Sequence, residues 1–182
     1  MVKALLVGSK VLIPNVDESR YIYSNGFYGK PIGISKPKGP KDIIRPLELS
    51  LIESVYLAKK GLIKVTDKNG EVLEYEKLYE YSSKVINKFD IIYKVYEDLR
   101  EKGFIVRSGV KYGADFAVYT LGPGLEHAPY VVIAVDIDEE ITPHELLSFG
   151  RVSHSTRKRL VLALVDRKSE SVRYIMFKWV KM

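Results

Sequence analysis

The sequence predicts an α+β protein: a small N-terminal α+β domain, residues 1–82, followed by a C-terminal α/β domain, residues 83–182, with a mixed central sheet. Two observations carry this reading. Short apolar strand segments alternate with helical spacings such as Ile86, Phe89, Tyr93, Tyr96 and Leu99. Val131-Val132-Ile133-Ala134-Val135 is continuously apolar, as a strand buried on both faces must be. No internal repeat or low-complexity tract interrupts the pattern.

In chain order, Ala4-Leu5-Leu6-Val7 and Val11-Leu12-Ile13 read as strands around a Gly8-Ser9 turn. Asp17-Glu18-Ser19 opens a short helix that Asn25-Gly26 ends, since both residues tolerate the left-handed conformation. Residues 36–45, with three lysines, two prolines and a glycine, form a loop. Pro46 is expected in the first turn of a helix that puts Leu47, Leu51, Val55 and Ala58 on one face and closes at Gly61. Residues 62–66 and 71–75 are expected as strands flanking the hairpin signal Asp67-Lys68-Asn69-Gly70. The second domain begins with the helix of Ile86 to Leu99, which Gly103 stops, and continues with strands at 104–107, 116–120 and 131–135. Thr142-Pro143-His144-Glu145 is a capping box with proline in the first helical position, opening a helix that runs toward Arg151. A buried strand at 160–165, a charged turn at 166–170 and a final strand at 172–180 complete the chain.

Composition narrows the function classes. A hydrophobic content of 46% and a mean hydropathy of −0.07 describe a folded soluble chain of 182 residues. No apolar run approaches the roughly 20 residues that span a bilayer, and the first apolar stretch is too short for a signal peptide. No membrane association is expected, and a cytoplasmic setting is. The absence of cysteine excludes a disulfide framework, a thiolate metal site and a thiol nucleophile. A net charge of +6 favours a polyanionic partner. The excess is spread evenly over both halves, but Arg151, Arg157, Lys158 and Arg159 fall within nine residues.

The densest chemistry lies between Gly109 and Tyr130. A glycine-punctuated strand delivers Tyr119 to a loop mouth, with Gly113 expected to permit close backbone approach. The Gly122-Pro123-Gly124 loop can then bring His127 back beside Tyr119, and Lys158 enters a buried strand 31 residues later. Tyrosine, histidine and lysine together suit chemistry on RNA's own 2′-hydroxyl. A base takes that proton, an acid protonates the departing 5′-oxygen, and a cation neutralises the crowded phosphate. No metal or cofactor is needed for this. Taken singly, Tyr119 also reads as a packed strand-end aromatic, His127 as a solvated loop residue, and Lys158, Arg151 and Arg173 as surface charge. His144 and His154 read as structural or exposed. Arginine planes can stack on an unpaired base. A competing chemistry is a two-metal nuclease using Asp115 and Asp136, which alternate with apolar strand residues.

These motifs resemble the catalytic subunits of archaeal tRNA-splicing endonucleases (tRNA-intron lyases). The resemblance rests on Lys111-Tyr112-Gly113-Ala114-Asp115-Phe116-Ala117-Val118-Tyr119, on Glu126-His127-Ala128, and on Arg151 through Arg157-Lys158 to Ala163. Val172-Arg173-Tyr174 followed by Trp179 also matches, as do Gly26-Phe27-Tyr28-Gly29-Lys30 and Glu53-Ser54-Val55-Tyr56-Leu57 in the first half. It implies metal-independent cleavage of precursor tRNA at a bulge-helix-bulge, leaving a 2′,3′-cyclic phosphate and a 5′-hydroxyl. It also implies Tyr119 as general base, His127 as general acid, Lys158 as stabiliser of the transition state, and Arg151 with Arg173 as the clamp on a flipped bulge base. A free tyrosine has a pKa of about 10, so as a base Tyr119 needs a nearby cation, a part Lys158 is expected to play. The resemblance implies a homodimer through the final strand, within a tetramer. The mixed-charge turn Asp166-Arg167-Lys168-Ser169-Glu170 stands where the family usually carries an acidic loop, which points toward a non-catalytic partner subunit. The remaining alternative is that the chain itself is a non-catalytic RNA-binding or scaffolding subunit. Such a chain should lack part of the Tyr-His-Lys set, and all three are present.

Overall fold

Residues 1–35 and 37–177 are described by a computed structural model, in which the chain divides into two units, Met1–Phe89 and Asp90–Met182. In the first unit, β1 (Val2–Val7) and β2 (Lys10–Ile13) pair antiparallel across the Gly8-Ser9 turn. α1 (Val16–Ser24) starts where the Asn15 side chain accepts the N–H groups of Asp17 and Glu18, and it ends at Asn25. β3 (Lys30–Pro31), β4 (Leu47–Ser50), α2 (Leu51–Lys59), β5 (Ile63–Thr66), β6 (Val72–Leu73) and α3 (Tyr75–Val85) follow. The sheet order is β3-β4-β2-β1-β5-β6, with β1 and β5 parallel and the other neighbours antiparallel.

Two expectations for this unit are corrected. Pro46 does not open a helix; it precedes β4, whose Leu47 and Leu49 are fully buried and pair with Ile13 and Val11 of β2. Helical spacing from Leu47 to Leu51 exists, but alternation against β2 prevails, and the helix starts four residues later. Its start is a capping box: Ser50 Oγ accepts the Glu53 N–H, while Glu53 Oε2 accepts from Ser50 N–H at 2.9 Å. The other carboxylate oxygen of Glu53 accepts the buried Gly29 N–H, also at 2.9 Å. The second correction is at residues 71–75, where the strand is only Val72–Leu73 and Tyr75 already begins α3. α3 buries Leu78 and Ser82, one helical turn apart.

In the second unit, α4 (Phe89–Glu101) begins after Lys88, whose positive φ of 53° breaks the chain, so Ile86 lies outside the helix expected to contain it. β7 (Ile105–Ser108), β8 (Phe116–Tyr119), β9 (Tyr130–Asp136), α5 (Pro143–Thr156), β10 (Arg159–Asp166) and β11 (Ser171–Phe177) follow. The sheet order is β11-β10-β9-β8-β7. β9 and β10 are parallel, joined by the α5 crossover, and the remaining pairs are antiparallel, which gives the expected mixed central sheet. α5 starts with the capping box read in the sequence, Thr142 with Glu145. On one sheet face Phe149 and Val152 of α5 pack over Ala114, Val131 and Leu160. Phe116, on the opposite face, meets Tyr96 of α4 with ring centroids 5.8 Å apart. Of the expected final strand, Trp179 and Val180 lie outside the described residues.

Candidate active site

Backbone geometry ahead of β8 sets up the site. A Cβ on Gly109 would lie 2.6 Å and 2.7 Å from backbone atoms of Phe116, so only glycine lets the turn Val110–Tyr112 fold back onto β8. The close approach expected at Gly113 therefore belongs to Gly109. Gly113 ends the turn in the left-handed conformation, φ 73°, and a Cβ there would meet only Val152, at 3.6 Å. The turn lays Tyr112 against two clusters at once: Ala117, Tyr119 and Ala128 on one side, Ala114, Val131 and Leu160 on the other.

Tyr119 ends β8, opposite Ile105, and is only 8% exposed. The loop after it turns on Gly122 and Gly124, both at positive φ. Glu126 closes that loop: its carboxylate accepts the Thr120 N–H at 2.6 Å, the Leu121 N–H at 2.7 Å and the Thr120 hydroxyl at 3.0 Å. These donors, the Leu121 N–H foremost, hold the Glu126 carboxyl below the usual carboxylate range. The next residue, His127, is exposed, and Ala128 is buried against Tyr119. His144 and His154 are exposed at the two ends of α5.

Lys158 reaches the same place from another direction. Arg157, at φ 54°, ends α5 and turns the chain into β10, where the Arg159 N–H donates to Pro129 O at 3.0 Å. Lys158 Nζ donates to Ala128 O at 2.7 Å and lies 4.9 Å from the centroid of the Tyr112 ring. Lys158 is thus tied to the residue beside His127 and stands on a ring that packs against Tyr119. In the sheet, Tyr119 and Lys158 flank Pro129 from β8 and β10, two strand spacings or about 10 Å apart. The three residues nominated by the sequence come to one end of one sheet.

Two cations beyond Lys158 bear on Tyr119. Burial raises the Tyr119 pKa above the ordinary tyrosine value, and Tyr112 adds to the rise. The positive charges of Lys111 and Arg107 oppose that rise, and the Lys158 ammonium donates to the Ala128 carbonyl and lies over the Tyr112 ring. Sequence reasoning gave neither Lys111 nor Arg107 a role. Arg107 was within reach of it, because period-2 alternation puts Arg107 on the same sheet face as Ile105, the partner of Tyr119.

Arg173 stands apart from this cluster. Arg173 pairs with Leu164, six residues beyond Lys158 and so about 20 Å along β10. Leu160 packs under α5, so Leu164 and its partner Arg173 share the α5 face by alternation, and Arg151 is exposed on α5 itself. Both arginines therefore belong to one side of the sheet. The carboxylates of the competing metal-nuclease reading are already engaged. Asp115 Oδ2 accepts the Ala134 N–H at 2.8 Å, and Asp136 pairs with Arg167 Nε at 3.1 Å. Among the described residues no group of three His, Cys, Asp or Glu side chains is placed to hold a metal ion. In the turn after β10, Arg167 also reaches Asp90 at 3.0 Å, so its charge is directed back onto its own unit.

A tyrosine, a histidine and a lysine toward one end of a mixed sheet, in a basic two-domain chain, are residue types that suit acid–base cleavage of RNA. Comparison with known proteins makes the class specific. The family model for the tRNA intron endonuclease catalytic C-terminal domain matches residues 89–174, and that for the tRNA intron endonuclease N-terminal domain matches residues 2–79. Proteins called tRNA-splicing endonuclease are 97% identical to the chain in Saccharolobus islandicus, 90% in Saccharolobus solfataricus and 56% in Sulfolobus acidocaldarius, with 100% of both sequences covered each time. The chain belongs to the tRNA intron endonuclease family and carries its catalytic domain. Among the described residues no helix is long and apolar enough to cross a membrane.

Proposed function

We propose that the chain excises introns from precursor tRNA in the cytoplasm by metal-independent cleavage at bulge-helix-bulge motifs. The substrate's 2′-oxygen bonds to phosphorus as its proton passes to Tyr119. The bond from phosphorus to the 5′-oxygen breaks, and His127 supplies the proton that makes it a hydroxyl, leaving a 2′,3′-cyclic phosphate. Lys158 faces the phosphate, whose negative charge grows in the transition state. Tyr119 works from its ionised fraction, which burial lowers and Lys111 and Arg107 raise. Arg151 and Arg173 hold a flipped bulge base between their guanidinium planes. The observation that carries this reading is the bond from Lys158 Nζ to the Ala128 carbonyl above the Tyr112 ring, which ties lysine, histidine loop and tyrosine together. Cleavage of a bulge-helix-bulge precursor by the purified protein in EDTA tests it. Products ending in a cyclic phosphate are expected; activity lost in EDTA and restored by Mg²⁺ would overturn it.

The same reading includes assembly through β11. Among the described residues this strand is an edge of its sheet, with Ile175 48% and Met176 56% exposed, and long apolar edges are ordinarily covered. Beside it an apolar hollow of about 230 Å³ opens between Leu99, Phe104, Val118, Tyr130, Val132 and Val161. Two chains pairing by β11 form a homodimer within a tetramer, completed by a non-catalytic partner subunit because the turn at Asp166 is mixed in charge and Arg167 is paired at home. Light scattering and activity of the isolated chain separate the parts of this statement. A monomer would overturn the interface, and a fully active homotetramer only the need for a partner.

A further inference from the structure

The fold-back at Gly109 brings to the site a cation that the proposed mechanism does not assign to the substrate. Lys111 Nζ lies 4.7 Å and Lys158 Nζ 4.9 Å from the centroid of the same Tyr112 ring. Two ammonium groups drawn to one ring repel each other, a cost that an anion beside them offsets. The ring is well suited to hold both. It is fixed from below by Tyr119, Ala117 and Ala128 and by the neighbouring cluster around Leu160. It offers its π face to cations. Lys158 has a second anchor in the Ala128 carbonyl, whereas Lys111 is otherwise exposed and its charge reaches Tyr119.

We propose that Lys111 and Tyr112 are positioning residues of this site: Tyr112 fixes both ammonium groups, Lys111 answers the negative charge of the Tyr119 oxygen, and Lys158 is left for the phosphate. The inference rests on the reading of Tyr119 as the group that takes the 2′-hydroxyl proton. It divides between two lysines a task that one would perform poorly, since a single ammonium held against both phenolate and phosphate would help each less. Lys111 then governs the pH at which cleavage becomes fast, and Lys158 governs how fast it becomes.

Single-turnover cleavage at saturating enzyme, measured from neutral pH to above the ordinary tyrosine range, tests this with Lys111→Gln, Lys111→Arg, Tyr112→Phe, Tyr112→Leu and Tyr119→Phe. Lys111→Gln is expected to move the rising limb of the profile to higher pH, slowing cleavage about tenfold at neutral pH, with the plateau kept. Lys111→Arg should restore the limb. Tyr112→Phe keeps the ring that both ammonium groups contact, so it should leave limb and plateau near those of the parent. Tyr112→Leu removes the ring from both, so it should shift the limb as Lys111→Gln does and lower the plateau. A Lys111→Gln profile that is unchanged, or lowered equally at every pH, overturns the inference. If Tyr119→Phe is slow in that case, the reading of the site survives without it; if Tyr119→Phe is as fast as the parent, both fall.

Discussion

Replacing Lys158 with methionine separates its structural and chemical parts. Its ammonium makes a charged hydrogen bond, 2.7 Å to the Ala128 carbonyl, and a ring contact, 4.9 Å to Tyr112. A charged hydrogen bond contributes about 1.5–3 kcal/mol and an exposed cation–ring contact about 0.5–1 kcal/mol. Lys158 is half-buried, so water can take over the carbonyl and methionine can keep the aliphatic contact with the ring. The net loss of stability should therefore be only about 1 kcal/mol. The chemical loss should be much larger. A unit charge about 4–5 Å from the phosphate, at an effective dielectric of about 20, contributes about 3–4 kcal/mol. That corresponds to a fall in cleavage rate of about 10²–10³-fold. Single-turnover cleavage at saturating enzyme gives the rate, and thermal unfolding of the same sample gives the stability. Lys158→Arg should recover part of the rate, since it keeps the charge but changes its shape. A folded Lys158→Met protein cleaving within about threefold of the parent would refute the reasoning, and Lys158 would then be only an anchor for the His127 loop.

Three further outcomes are expected. His127→Ala should slow cleavage by about 10²–10⁴-fold with RNA binding largely kept, while His144→Ala and His154→Ala cleave normally; single-turnover rates of the three would misplace the site if either of the latter were the dead one. Arg151→Lys and Arg173→Lys should each slow cleavage of a bulged substrate without changing the salt dependence of binding, because charge is kept and the stacking plane is lost; unchanged rates in both return them to surface charge. Stability should also fall at high pH. Burial first, then the hydrogen bond to Asp98 and its charge, raise the Tyr174 pKa far above the ordinary value. The stabilisation from that held proton is complete below the unfolded tyrosine pKa of about 10 and is lost as pH rises beyond it. Denaturant unfolding at stepped pH should show a shallower alkaline decline for Tyr174→Phe, and an identical decline would remove Tyr174 from the account.

The order of elements in the second domain could be read from the chain because its signals are local. Thr142-Pro143-His144-Glu145 caps its own helix, and residues 131–135 of β9 and 160–165 of β10 are continuously apolar whatever they pair with. The candidate residues could be singled out for the same reason: Tyr119 ends a strand, His127 follows the Gly122-Pro123-Gly124 loop, and Lys158 stands at the entrance of a buried strand. What neighbours in sequence do not decide was decided by partners far along the chain. Leu47 fits a helix face with Leu51 until β2, more than thirty residues earlier, pairs with it and with Leu49 as a strand. The junction of Lys158 with the histidine loop spans 30 residues, from its ammonium to the Ala128 carbonyl. The meeting of Lys111 and Lys158 over one Tyr112 ring depends on a backbone fold-back that glycine at position 109 permits against Phe116. Secondary structure and residue chemistry are set by short-range sterics and hydrogen bonding, which sequence carries directly. Which charge meets which oxygen is set by side-chain distances across the sheet, and those exist only once the chain has closed on itself.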